Sequence, residues 1–432
     1  MDASLLDQPA RVAAVHVEGA KHTRRSFLQS IVSPHLIQHD PATFESVLLT
    51  TRNIGHYLRE TDVFQSVAAK LEPSSAPGAK PGDVDIIFTT RERGRFFLKT
   101  STEVGNNEGN ASATGRIRNV FGGAETLEAN ISVGTQTRRS FHGTFSAPLT
   151  STLDTRGDIS VYASDKDNTT FASCTEALRG ARAVVRRGTQ RSGQHELGYE
   201  AVLRHISGLS ESASLSIREA AGQSVKSSIF HSWARDTRNG TITSTEGGLT
   251  KIRHEFAGLG GDAAFYKVEA EGQACRQLFP GVFLSVGMRG GLLHNLSGPS
   301  LFSDRFQLGG PNNVRSFRTN SMGPRDGPDA VGGDLYWAMG ASLITNIPRK
   351  PHWPLKTHFY LNAGQLDSMR RSKSLQENIA ESLSRPSVSA GLGLIYSFDP
   401  IRVELNFGVP LAARKSDGFR RGLQVGMGLE FL

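Results

Sequence analysis

A chain of 432 residues with 38% hydrophobic content is long enough to bury a sizeable core, and its two cysteines, Cys174 and Cys275, stand in no Cys-x-x-Cys or Cys/His grouping, so neither a disulfide framework nor a zinc site is expected. The net charge of +8 is scattered over the chain without a basic arm, and no nucleic-acid partner is expected. No run of about 18 consecutive apolar residues appears, which excludes a helical membrane span but not a β-barrel span, whose apolar residues fall at every second position.

The first ninety or so residues mix two periods. VAAVHVEG (Val12–Gly19) predicts a strand closing on a glycine turn, and Thr23 stands where a helix N-cap belongs, before Phe27, Leu28 and Ile31 at helical spacing. FESVLLTTRNIGHYLRET predicts a second helix, with Phe44, Val47, Leu48, Ile54, Tyr57 and Leu58 on one face. Two strands follow, VFQSVAAKLEP and DVDIIFTTRER, joined by SSAPGAKPG. The order strand, helix, helix, strand, strand describes a small α+β domain over residues 1–93. Its Val15-x-Val17-x-Gly19, Asp62-Val63-Phe64-x-x-Val67 and Val84-Asp85-Ile86-x-Phe88 resemble the polypeptide-transport-associated domain of outer-membrane insertases.

From Arg95 onward, segments of about ten residues alternate apolar and polar between Gly, Asn, Asp and Pro turns. Sixteen candidates result: 95–106, 109–121, 123–135, 138–149, 156–165, 178–191, 194–206, 212–219 or 225–236, 248–257, 263–275, 281–293, 334–345, 356–366, 386–398, 400–408 and 420–431. Residues 94–432 are therefore expected to form an antiparallel transmembrane β-barrel of about sixteen strands, making the chain mainly β. In the final strands Ile401, Val403, Leu405 and Phe407 oppose Arg402, Glu404 and Asn406, and Leu423, Val425 and Met427 oppose Gln424 and Gly426. Pattern alone leaves two readings: a water-soluble sandwich buries the apolar face, whereas a barrel turns it to lipid. More than three hundred residues of meander favours the barrel.

Between the eleventh and twelfth candidates lies a long connection, 294–333, rich in Gly and Pro, with an apolar-flanked arginine at Val314-Arg315-Ser316-Phe317. A loop of this length is functional or disordered. Phe317 needs a pocket and Arg315 an acceptor, which argues for function. No His-Glu-x-x-His, Gly-x-Ser-x-Gly elbow or phosphate loop appears, so no enzyme activity and no cofactor is expected. Gly258-Leu259-Gly260-Gly261 and Gly391-Leu392-Gly393 sit in no βαβ unit and are taken as strand or turn glycines.

Leu308-Gly309-Gly310-x-x-x-Val314-Arg315-x-Phe317, followed by Gly332-Gly333-Asp334-x-Tyr336-Trp337, resembles the long sixth loop of the outer-membrane insertase superfamily, to which bacterial BamA and the mitochondrial sorting and assembly machinery belong. The resemblance continues through Phe359-x-Leu361-Asn362-Ala363-Gly364, Gly391-x-Gly393 and Arg402-x-Glu404-Leu405-Asn406-Phe407. The family usually has Gly where Ser316 stands, and many bacterial members have an acid at Asn362. Glu404, on the lumen side by parity, is the proposed replacement acceptor for Arg315, beside Asn362. Gln424-x-Gly426-x-x-Leu429-x-Phe431 resembles the mitochondrial β-signal and, with no secretory signal visible in MDASLLDQPARVAAV, points to the mitochondrial branch. The resemblance implies a central barrel subunit of the mitochondrial sorting and assembly machinery, in the outer membrane with its N-terminal domain in the intermembrane space. Its implied work is inserting β-barrel precursors through a seam between first and last strands, with the lipid bilayer, the client's terminal strand and companion subunits as partners. A passive porin or secretion pore is the alternative on the same barrel.

Overall fold

In the stretch DVDIIFTTRE every second apolar residue points one way, and Ile86 and Phe88 are fully buried there against two helices. The computed structural model describes residues 6–36, 43–105, 108–240, 243–350, 352–370, 372–398 and 401–428. The N-terminal part comprises β1 (Arg11–Glu18), α1 (Arg25–Val32), α2 (Phe44–Glu60), β2 (Phe64–Pro73) and β3 (Asp83–Glu92). The central strand is β3, parallel to β1 and antiparallel to β2. Leu28 and Val32 of α1, with Val47, Ile54 and Leu58 of α2, close over Ile86 and Phe88 in one apolar core.

Thr23 does not cap α1. Arg24 occupies the N-cap in extended conformation without a side-chain cap bond. The Thr23 hydroxyl is committed elsewhere, donating to Glu92 Oε1 at 2.7 Å and accepting from Asn119 Nδ2 at 3.0 Å. That contact, together with Arg24 Nη2 on Glu125 Oε1 at 2.7 Å, fastens the N-terminal part to the turn 119–125 of the second sheet.

The second sheet has sixteen strands: β4 (Phe96–Gly105), β5 (Glu108–Arg118), β6 (Thr126–Gly134), β7 (Thr137–Pro148), β8 (Thr155–Asp167), β9 (Thr175–Thr189), β10 (Gly193–Ser207), β11 (Gly222–Asp236), β12 (Gly247–Gly261), β13 (Phe265–Phe279), β14 (Val282–Asn295), β17 (Leu335–Asn346), β18 (Leu355–Asp367), β19 (Ser387–Phe398), β20 (Ile401–Ala412) and β21 (Gly422–Gly428). Between β14 and β17 the two-residue strands β15 (Arg325–Asp326) and β16 (Asp329–Ala330) form a small hairpin. Sequential neighbours pair antiparallel throughout, so the order is a meander, with β4 and β21 unpaired to each other among the described residues. The eighth strand is 222–236. The alternative 212–219 is instead loop and a short helix, α3 (Leu215–Glu219), because Ile217 is fully buried under the loop and Asp326 accepts the Ser216 amide at 2.9 Å. A further helix, α4 (Leu375–Ser384), lies between β18 and β19.

Which face is buried separates the two readings of the alternation. On β20, Arg402, Glu404 and Asn406 are buried while Leu405 and Phe407 are 39% and 56% exposed. On β18, His358, Tyr360 and Asn362 are buried while Phe359 and Leu361 stand out; on β8, Asp158 and Ser160 are buried while Ile159 and Val161 stand out. A sheet that buries its polar face and exposes its apolar one is built for hydrocarbon outside and a polar lumen within. No helix of the described residues is long and apolar enough to cross a membrane, so the crossing elements are the strands.

Candidate functional site

The chain leaves β14 and turns into the lumen at Leu308-Gly309-Gly310. Gly309 has φ +107°, and a Cβ there would approach the Arg318 carbonyl oxygen to 2.6 Å, so only glycine lets the loop fold back on itself. Leu308, Val314, Phe317 and Met322 then pack with Ala338 and Leu366 of the wall in an apolar cluster inside the lumen. This small core anchors the loop and carries Arg315 into contact with the last strands.

Arg315 is fully buried. Its Nε donates to Glu404 Oε2 at 2.9 Å, Nη2 to Glu404 Oε1 at 3.2 Å and Nη1 to Asn362 Oδ1 at 3.1 Å. Two parallel bonds from the guanidinium fork to one carboxylate are a strong, directional charged contact. Tyr360 lies under the guanidinium, 5.1 Å from ring centroid to Cζ. Glu404 also meets Arg402 Nη2 and accepts from Asn406 Nδ2 at 2.8 Å, and Asn406 Oδ1 faces His358 Nε2 at 2.7 Å. The Arg315 carbonyl accepts from Ser389 Oγ at 2.6 Å.

Ser316 takes φ +68°, the left-handed conformation for which glycine is favoured. Its neighbours favour that geometry: Gln424 Oε1 accepts from the Ser316 amide at 2.9 Å, Gln424 Nε2 donates to the Phe317 carbonyl at 3.1 Å, and the Arg420 amide donates to the Ser316 carbonyl at 2.8 Å. Phe317 itself bridges to Phe419. The Gln424 side chain thus pairs with loop backbone as a strand would. The loop meets polar side chains from each of the last four strands: Asn362 and Tyr360, Ser389, Glu404, and Gln424.

The opposite end of the loop is also tied down. Asp304 accepts from Arg204 Nη1 of β10 at 2.7 Å, both groups buried. Asp329 accepts from the Ser173 and Ser214 amides at 3.0 and 2.8 Å, and Asp326 from Ser216. Burial pushes the Asp329 carboxyl up, but the hydrogen bonds from Ser173 and Ser214 outweigh it and hold the group below the usual carboxylate range.

Of the residues singled out from the sequence, Gly309, Gly310, Val314, Arg315, Ser316, Phe317, Asn362, Glu404 and Gln424 are gathered at this site. Gly426 lies opposite Glu404 in the β20–β21 ladder. Leu429 and Phe431 lie outside the described residues. Sequence reasoning missed Ser389, Tyr360 and His358 as members of the network. Parity puts Tyr360 and His358 on the face of Asn362, the one signal that would have found them; Ser389, an ordinary serine on a strand, carries none.

A sixteen-stranded antiparallel sheet with a polar lumen, occupied by a loop that an arginine fastens to the last strands, defines an outer-membrane β-barrel with an internal loop. The Omp85 superfamily domain matches residues 119–431, and the chain belongs to that superfamily. It is 34% identical to a SAM50-like protein of Schizosaccharomyces pombe over 98% of this chain and 91% of that one. It is 32% identical to the sorting and assembly machinery component 50 homolog of Homo sapiens, over 86% and 80% of the two chains. Within the superfamily it therefore belongs to the SAM50 family. BamA from Haemophilus ducreyi lacking POTRA domains 1–3 shares the fold, with TM-score 0.79 at 17% identity over 98% of this chain and 85% of that one.

Proposed function

We propose that this chain inserts and folds β-barrel precursor proteins in the mitochondrial outer membrane, making and breaking no covalent bonds. Residues 94–432 form the barrel in the bilayer. Residues 1–93 form a polypeptide-transport-associated domain in the intermembrane space, and companion subunits assist from outside the barrel. Membership of the SAM50 family supports the process and the compartment.

The physical problem for a client is that backbone N–H and C=O groups cannot enter hydrocarbon unpaired. Pairing the client's terminal strand with an exposed strand edge solves it. The edges available are those of β4 and β21, which stand at the two ends of the sheet order. The observation that carries the seam reading is Gln424: this side chain of the last strand is bonded to the loop at Ser316 and Phe317, beside the Arg315–Glu404 pair. Loop position and release of β21 are therefore coupled, and the loop acts as the latch on the seam.

Cysteine pairs placed across β4 and β21 test this directly. Oxidation should block assembly of newly imported barrel precursors in isolated mitochondria, and reduction should restore it. Locked barrels that insert clients at the normal rate would sink the seam. Depletion of the chain tests the wider role: steady pore conductance lost with precursor assembly intact would replace it by a passive porin, a reading that leaves the buried Arg315 latch without work.

A further inference from the structure

The helix α4 is polar where it is buried and apolar where it is exposed. Asn378 and Ser382 are 6% and 1% exposed, whereas Leu375, Ile379 and Leu383 are 45%, 38% and 56% exposed. The three apolar residues recur every fourth position and form one stripe. Ser374 and Glu377 cap the helix reciprocally, and Asn378 Nδ2 donates to the carbonyls of Lys373 and Ser374 at 3.3 and 3.0 Å, so the exposed stripe belongs to a well-tethered element.

Its position follows from the meander. The β18–β19 connection lies at the end of the strands remote from the N-terminal part. Trp337, on the outward face of β17, donates to the Ser382 carbonyl at 3.3 Å, which puts α4 against the outside of the wall. Farther along the same two strands the outward residues Met339, Phe359 and Leu361 are 46%, 59% and 50% exposed, the lipid-facing belt of the sheet. Beside the helix a groove of about 710 Å³ has apolar walls from Tyr266, Leu292, Leu296 and Leu375, with Arg370 and Lys373 at its rim. Glu381 bonds Lys373 at 2.8 Å and lies 3.7 Å from Arg370, offsetting one of the two charges.

We propose that this groove holds a phospholipid with an anionic headgroup: an acyl chain along Tyr266, Leu292 and Leu296, the phosphate at Arg370 and Lys373, and α4 lying in the boundary between hydrocarbon and water. An apolar groove on the outward side of the wall, an apolar helix stripe beginning beside it at Leu375 and cations at its rim are the three components of such a site. The inference requires the sheet to sit in a bilayer and is independent of any action on client proteins.

The test uses the full chain in nanodiscs of phosphatidylcholine alone or of an equimolar mixture with phosphatidylglycerol, with retained lipids counted by native mass spectrometry. Preferential retention of phosphatidylglycerol is expected. Arg370→Gln with Lys373→Gln should lower that preference by about thirtyfold, the effect of removing two interfacial cations. In parallel, Ile379→Cys carrying an environment-sensitive fluorophore should be quenched by lipids brominated on the acyl chain. Equal retention of the two lipids, an undiminished preference in the double variant, or a fluorophore that brominated lipid does not quench would each overturn the proposal. Inorganic phosphate displacing the retained lipid would reduce the site to a free-anion site and overturn it as well. Unchanged heat-modifiable mobility of the variants on gels confirms that the barrel is intact.

Discussion

In β3 the alternate residues Ile86 and Phe88 are fully buried and Thr89 and Arg91 are exposed; in β20 Glu404 and Asn406 are fully buried and Leu405 and Phe407 are exposed. The two strands share one alternation and have opposite insides. The N-terminal sheet folds against water, so burying apolar side chains drives it. Around the second sheet the solvent is hydrocarbon, so apolar contact with lipid carries no penalty, and the lumen is organised by charged and hydrogen-bonded groups instead. Substitutions that are severe in one sheet are mild in the other.

The largest effect is expected at Glu404. Glu404→Gln leaves two buried guanidinium groups, Arg315 and Arg402, facing a neutral amide, and should destabilise the loop-docked state by about 3–5 kcal/mol, read as a lower unfolding temperature of the detergent-folded barrel. The charge-swapped double exchange at 315 and 404 should recover part of the loss; a cycle with no coupling would show that the two groups act independently. Phe88→Ala should cost the N-terminal part about 3–5 kcal/mol, seen as rapid proteolysis within 11–92 while barrel unfolding stays unchanged. On the outward face the scale reverses: Leu405→Arg should cost about 2–4 kcal/mol near the bilayer midplane, whereas Leu405→Ala should lose less than about 1 kcal/mol, well below the usual loss for a leucine in a water-soluble core. An alanine effect as large as that of Phe88→Ala would mean that Leu405 faces protein.

Smaller changes address the loop. Ser316→Gly relieves a left-handed backbone and should slow hydrogen exchange at the amides of residue 316 and of Arg318 and Arg420 by stabilising the docked loop by up to about 1 kcal/mol. Faster exchange would show that the Ser316 hydroxyl, 3.4 Å from the Tyr360 hydroxyl, outweighs the strain. Asp329, whose carboxyl is held below its ordinary value, contributes stability that is complete above the unfolded pKa of about 4 and is lost as pH falls through the lower folded value. Protease clipping at 325–330 should therefore rise on acidification, and Asp329→Asn should weaken that dependence, leaving the part that Asp326 carries through Ser216.

Strand number and spacing were legible because period-two alternation and turn residues are local properties. The order of the meander followed because short connections leave antiparallel neighbours little choice. The loop was legible as an interruption in that rhythm, and Arg315 as a charge in an apolar setting. Thr23 was misread as a cap because its partners, Glu92 and Asn119, are supplied by distant segments. The stretch 212–219 was open to misreading because α3 is too short to show a period and docks on Asp326, more than a hundred residues away. The helix α4 did carry a local signal, Ser374 three residues before Glu377.

Alone, the sequence determined sixteen alternating strands, a small α+β part ahead of them and a long loop with an apolar-flanked arginine, because each is written in neighbouring residues. Only the tertiary structure decided which face of each strand is the inside, and that Ser389 and Gln424 join Glu404 and Asn362, the acceptors proposed from parity and resemblance, around Arg315, Ser316 and Phe317. Both are settled by curvature and register, which bring residues tens of positions apart within hydrogen-bond distance and which no local pattern encodes.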